Sequence, residues 1–210
     1  MNPKLEQYIL SHSSPEDPLL EDLCRQTHIR FVNPNMISGH LQGKFLEMIS
    51  KMINPEHILE VGTFTGYSAI CMAKGLKPNG KLVTIEINDE LTAFARSYFC
   101  KAGVDSQIIQ VTGNALEIIP NLDQPFDLAF IDGDKREYIE YFRLIFDKVK
   151  PGGYIIADNV LWGGKVLETG TKDPQARGVI DFNNMICKEK NIERVILPIR
   201  DGLMLIRKKV

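Results

Sequence analysis

Long apolar runs are missing from this chain: none approaches the roughly 20 residues that cross a bilayer, so no membrane partner is expected. Cysteine is scarce, and Cys24, Cys71, Cys100 and Cys187 are scattered without a CxxC pair. That argues against a zinc or disulfide framework and fits reduced thiols in a cytoplasm. A surplus of charge is also lacking, because 25 Lys and Arg against 27 Asp and Glu leave a formal charge of −2. Nucleic-acid binding, which calls for a basic surplus gathered on one face, is therefore not expected. The opening stretch MNPKLEQYILSHSSPEDPLL has no charged n-region followed by an apolar h-region, and no cleavage site. A cytoplasmic location follows as the expectation.

What is present is an ordinary globular composition, 44% hydrophobic and 25% charged, over a length that suits one α/β domain. From about residue 57, short apolar runs rich in β-branched residues read as strands: 57–62, 81–87, 107–113, 126–132 and 152–159. Segments with helical spacing separate them, at 68–76, 89–101 and 135–149. Such alternation predicts crossover connections and a mostly parallel, doubly wound sheet. A helix near 176–190 is followed by apolar runs at 194–199 and 203–209, with Asp201-Gly202 between them as a hairpin signal. The expected fold is thus α/β with seven strands, one of the last two antiparallel. Residues 1–56 show helical spacing broken by Pro15, Pro18 and Pro34, and read as two or three helices packed on the sheet or over its open edge. The chain reads as one domain over 1–210, a helical extension at 1–56 on a core at 57–210.

In such a sheet the ligand sits outside the carboxyl ends of the strands, where strand order reverses. The first strand ends in EVGTFTGYS, with Glu60, Gly62, Gly66 and Ser68. Phe64 stands where a dinucleotide loop would carry its middle glycine, which suits a ligand without a pyrophosphate. The second strand delivers Glu86, placed to accept hydrogen bonds from ribose hydroxyls. Asn114 and Ala115, after the third, can flank an adenine. The fourth strand delivers Asp132 and Asp134, and the fifth Asp158 and Asn159. Neighbouring carboxylates repel unless a cation intervenes. Asp132, Asp158 and Asn159 offer only oxygen, which suits Mg²⁺, Mn²⁺ or Ca²⁺. Asp and Asn also cap helices, and that reading weighs most for Asp134, which precedes KREYIEYF. An NAD(P)-dependent oxidoreductase and a non-catalytic nucleoside-binding module remain alternatives. Against the first stand the missing glycine and the oxygen trio.

Taken together, LEVGTFTGYS, the Glu of TIEIN, GNALE, FIDGDKREY, ADNVLWGG and LPIRDGLMLIRK resemble the cation-dependent O-methyltransferases, the group of caffeoyl-CoA and catechol O-methyltransferases and their small bacterial relatives. The resemblance runs from about Met36 to the C-terminus. It implies a Rossmann-like fold that binds S-adenosylmethionine and transfers its methyl group to a catechol-type small molecule or its CoA ester. It places Glu60, Gly62, Thr63, Gly66, Tyr67 and Ser68 at the methionine end of the cofactor. Glu86 takes the ribose and Ala115 the adenine, with Asp132, Asp134 and Tyr141 nearby, and Ile37 and Ser38 belong to a segment that closes over the cofactor. Asp132, Asp158 and Asn159 match the metal ligands, and Lys135 the general base. A homodimer is the implied state. Trp162 can wall the acceptor pocket, and the Gly-rich stretch after it, 163–177, reads as a mobile loop.

Overall fold

Where β-branched runs are apolar on both faces, they form the centre of a sheet: Ile58, Leu59, Ala129, Phe130 and Ile131 have no exposed surface. The computed structural model describes residues 3–210. Three helices, α1 (Pro3–Ser11), α2 (Pro18–Arg30) and α3 (Gly39–Ile53), precede the first strand. The alternating part follows as β1 (His57–Val61), α4 (Tyr67–Ala73), β2 (Lys81–Glu86), α5 (Thr92–Lys101), β3 (Ile108–Thr112), α6 (Ala115–Ile118), β4 (Phe126–Ile131), α7 (Tyr138–Lys148) and β5 (Val149–Ala157). The chain closes with α8 (Pro174–Lys188), β6 (Ile192–Leu197) and β7 (Leu203–Lys208).

The seven strands lie in the order β3-β2-β1-β4-β5-β7-β6, and β7 runs antiparallel to the other six. The chain winds outward from β1 in one direction and from β4 in the other. The crevice expected of a doubly wound sheet therefore opens between the carboxyl ends of β1 and β4. Their register sets Val61 beside Ile131, and Asp132 N donates to Val61 O at 2.8 Å. The residues that follow both strands are thereby brought together.

Two apolar layers sandwich the sheet. Leu23, Leu46, Ile70 and Phe99 cover one face, and Phe142, Ile145, Phe182 and Ile186 the other. The N-terminal helices are thus part of the first layer. Asp17 and Asp173 cap α2 and α8 by accepting from Leu19 N and Gln175 N at 3.0 Å each, each cap contributing on the order of 1 kcal/mol.

The terminal hairpin differs in detail from its expectation. Asp201-Gly202 does not make a two-residue turn; β6 stops at Leu197 and the loop takes residues 198–202. Pro198 has no N–H with which to extend the ladder. Arg200 and Gly202 then take left-handed backbone, φ 50° and 87°. No helix among the described residues is long and apolar enough to cross a membrane.

Candidate active site

Glu60, on β1, is a carboxylic acid with no exposed surface. Ser68 Oγ donates to its Oε1 and Thr84 Oγ1 to its Oε2, both at 2.5 Å. Burial pushes its pKa up to about 8, the two hydroxyls oppose the rise, and the charges of Asp132 and Glu86 add to it. The folded protein therefore retains a proton that the unfolded chain loses near the ordinary value of 4.5. Stability should fall as pH rises through that window and level off above about 8, a loss on the order of a few kcal/mol. Glu60→Gln is expected to flatten this part of the melting-temperature profile, as calorimetry between pH 5 and 8 can read. A variant with the same slope as wild type would refute the assignment.

Beyond β1 the chain turns sharply. Gly62 has φ 101°, and a Cβ there would overlap the carbonyl oxygen of Asp132, so only glycine lets the two strand ends approach this closely. Phe64 also takes left-handed backbone, φ 47°. The position lacking its glycine thus adopts a glycine-like conformation, and the Phe64 ring packs edge-on against Phe31 at 6.3 Å. Glu86 fixes this loop by accepting from Phe64 N at 2.7 Å and Asn88 N at 3.0 Å. Each of its oxygens retains a lone pair for a further donor.

Met36, Ile37 and Ser38 close over this loop, and a narrow pocket remains between them and Gly62, Thr63, Phe64 and Thr65, with Tyr67, Ser68 and Asp132 also on its wall. Seven of the residues expected at the cofactor or metal therefore meet here: Ile37, Ser38, Gly62, Thr63, Tyr67, Ser68 and Asp132. Glu60 is tied to this wall through Ser68. Gly66, at φ 91°, precedes α4. Ala115 begins α6, capped by Asn114, whose Oδ1 accepts from Leu116 N at 2.9 Å. Asp134 caps the 3-10 turn Lys135–Glu137 by accepting from Arg136 N at 2.9 Å, and it pairs with the Arg136 guanidinium, which lowers its pKa. The capping role weighed for this residue is the one observed. Tyr141 donates to Glu137 Oε2 at 2.5 Å, and its ring stands over Gly133.

The second half of the site follows β4 and β5. Lys135 is only 5% exposed. Its ammonium donates to Asp132 Oδ1 at 2.8 Å and to the Tyr138 hydroxyl at 2.6 Å. Tyr138 in turn donates to the backbone oxygens of Ile131 and Asp158, at 3.1 and 3.0 Å. Asp158 is 2% exposed, and its two oxygens accept from Gln42 Nε2 and Asn159 N, both at 2.6 Å. Burial raises its pKa, and the Asp132 charge raises it further. Asn159 takes φ 55°, which asparagine tolerates better than most residues.

Among the described residues no group of three or more His, Cys, Asp and Glu is arranged as a metal cluster. The trio expected from the sequence holds two carboxylates and an amide. It still fits a hard divalent ion. The two strand tips lie side by side, Asp158 N donating to Ile131 O at 3.0 Å, and the Lys135 ammonium already offsets part of the repulsion between Asp132 and Asp158 that a bound cation would relieve. Carboxylate oxygens that already accept one hydrogen bond have a second lone pair to give.

Gln42, Tyr138 and Arg200 were not singled out in the sequence. Tyr138 lies inside FIDGDKREY, three residues after Lys135, and that spacing on a helical turn was the available signal. Gln42 and Arg200 had none. Trp162, proposed as a pocket wall, is half-buried, and its indole N–H donates to Asp173 at 3.1 Å. The Gly-rich stretch after it holds two short 3-10 turns within Trp162–Leu167, kinked apart at Gly163 and Gly164 (φ 60° and 84°), and Lys165 ties it to the cap of α8, 2.8 Å from Asp173.

Comparison with known proteins agrees with this geometry. A family profile described as O-methyltransferase matches residues 10–209. The catechol O-methyltransferase of Niastella koreensis is 39% identical over 170 residues, 79% of this chain and 74% of its own. The caffeoyl-CoA O-methyltransferase of Petroselinum crispum is 33% identical over 219 residues, 97% of this chain and 90% of its own. Among solved structures, the O-methyltransferase TomG of Streptomyces achromogenes, in complex with SAM, superposes with a TM-score of 0.91 at 32% identity, covering 99% of this chain and 96% of that one.

Proposed function

Because this chain belongs to the O-methyltransferase family, we propose that it transfers a methyl group from S-adenosylmethionine to one hydroxyl of a small vicinal diphenol with the help of a divalent ion. The observation that carries the reading is the pairing of two features at the β1/β4 switch point. One is the pocket between Ile37-Ser38 and Gly62-Thr63; the other is the all-oxygen set Asp132, Asp158 and Asn159 beside it.

In this reading Gly62, Thr63, Gly66, Tyr67 and Ser68 shape the methionine end of the site, with Glu60 behind them. Glu86 orients the ribose, and Ala115 bounds the adenine with Asp134 and Tyr141 nearby. Asp132, Asp158 and Asn159 would hold the ion, magnesium first, with manganese or calcium as substitutes. When bound, the sulfonium supplies the methyl group and the ion stabilises the ionised acceptor oxygen. Lys135 is positioned by Asp132 and Tyr138 to take the acceptor's proton. Lys135 is ion-paired with Asp132 at 2.8 Å, so the base role requires that carboxylate to be engaged elsewhere during turnover. The remaining contribution of the chain is alignment of acceptor and donor.

The test is methyl transfer to catechol with magnesium and with excess EDTA, alongside a caffeoyl-type CoA thioester. Product should form in magnesium and drop at least about 100-fold in EDTA, the scale expected when stabilisation of the anion is lost. Full activity in EDTA defeats the metal reading. Preference for the thioester would move the substrate class from free diphenol to CoA ester. A cytoplasmic homodimer belongs to the same proposal, and sedimentation equilibrium is its check.

A further inference from the structure

Arg200 lies on the β6–β7 loop, about 160 positions from the pocket segment, yet it reaches the rim of the pocket. Its Nη1 donates to the carbonyl oxygens of Ile37, at 2.8 Å, and Ser38, and its Nη2 to that of Asn35 at 3.3 Å. Asn35 lies in the 3-10 turn Pro34–Met36, and Ile37 and Ser38 lead from it into α3. Each contact is a charge-assisted hydrogen bond from a guanidinium to a backbone carbonyl oxygen. Ile37 and Ser38, only 5% and 4% exposed, are pocket wall. The backbone bonds of residues 33–37 run within the segment, Met36 N to Asn33 O and Ile37 N to Pro34 O. Among the described residues, the hydrogen bonds tying it to the sheet come from Arg200.

The other side of the same loop is fastened. Asp201 accepts from Gly163 N at 2.6 Å through its side chain and from Leu161 N at 2.9 Å through its carbonyl, and Gly202 O accepts from Val160 N at 3.1 Å. The guanidinium therefore projects from a loop anchored just after Asn159. Arg200 takes φ 50°, a left-handed conformation that L-residues rarely adopt and that neighbouring contacts must sustain.

We infer that Arg200 is a positioning residue that latches residues 35–38 over the cofactor pocket. The inference rests on the reading that this pocket holds S-adenosylmethionine. Release of the cofactor requires segment 35–38 to lift, and lifting it breaks charge-assisted hydrogen bonds to three carbonyls. Arg200 thus slows cofactor release without touching the cofactor.

Arg200→Gly separates this role from folding, because glycine accepts φ 50° without strain and the side chain removed with the guanidinium is an exposed one. The probe is S-adenosylhomocysteine. Its dissociation rate should rise at least about tenfold in Arg200→Gly, with a smaller rise in Arg200→Lys, which keeps the charge without the fork. KM for the methyl donor should rise while kcat holds, and the melting temperature should stay near wild type. Amide exchange at Ile37 and Ser38 should accelerate in the ligand-free variant. If wild type binds the probe and the glycine variant releases it at the same rate, the latch is wrong. Failure of wild type to bind it overturns the cofactor reading, and the latch with it.

Discussion

Asp158→Asn is expected to abolish metal-dependent turnover, by about 1,000-fold or more, which corresponds to about 4 kcal/mol of transition-state stabilisation. The substitution keeps shape and removes charge. Asp158 is buried, with Gln42 Nε2 on one oxygen and Asn159 N on the other. An asparagine amide can accept the Asn159 bond and donate its own N–H towards Gln42. Gln42 can meet it by turning its amide over, because its Oε1 is buried without a partner. The variant should fold, and removing a carboxylate that burial already disfavours should not lower its melting temperature. Affinity for S-adenosylhomocysteine should stay within about threefold of wild type, because Asp158 is not part of the pocket wall. Magnesium titration and initial rates with catechol are the readouts. Turnover within tenfold of wild type would remove Asp158 from the metal site.

Lys135→Met should lower kcat by about 100-fold to 10,000-fold, the range lost with a positioned acid or base. Methionine fills the space of the lysine stem, so the buried position is not left as a cavity. Tyr138 keeps the backbone oxygens of Ile131 and Asp158 as acceptors, so its hydroxyl remains satisfied. Asp132 loses the ammonium that stands 2.8 Å away. The site becomes more negative, and magnesium should bind as tightly as in wild type or more tightly. That outcome separates the two variants, since Asp158→Asn weakens the ion while Lys135→Met does not. A loss of less than tenfold in kcat would deny Lys135 the proton-transfer role.

Much of the site could be read from the chain because strand ends are visible in sequence. Apolar runs stop where strands stop, so Glu86, Asp132 and Asp158 could be assigned to strand tips before any coordinates. Even there the reading had limits. The hairpin loop is longer than Asp201-Gly202 suggested. Phe64 marks a departure from a dinucleotide loop in sequence, but its left-handed backbone appears only in the fold.

The sequence by itself determined the order of strands and helices along the chain, the chemistry of each strand tip and the replacement of a dinucleotide loop's middle glycine by Phe64. Those properties are local: hydrophobic period, residue type and chain order encode them. Only the tertiary structure decided that Gln42 meets Asp158 across 116 positions, that Tyr138 holds Lys135, and that Arg200 bonds to the backbone of Ile37 and Ser38. Such contacts have no periodic signature. They arise because the sheet places β1 against β4 and β5 against β7, which brings distant segments within hydrogen-bonding reach.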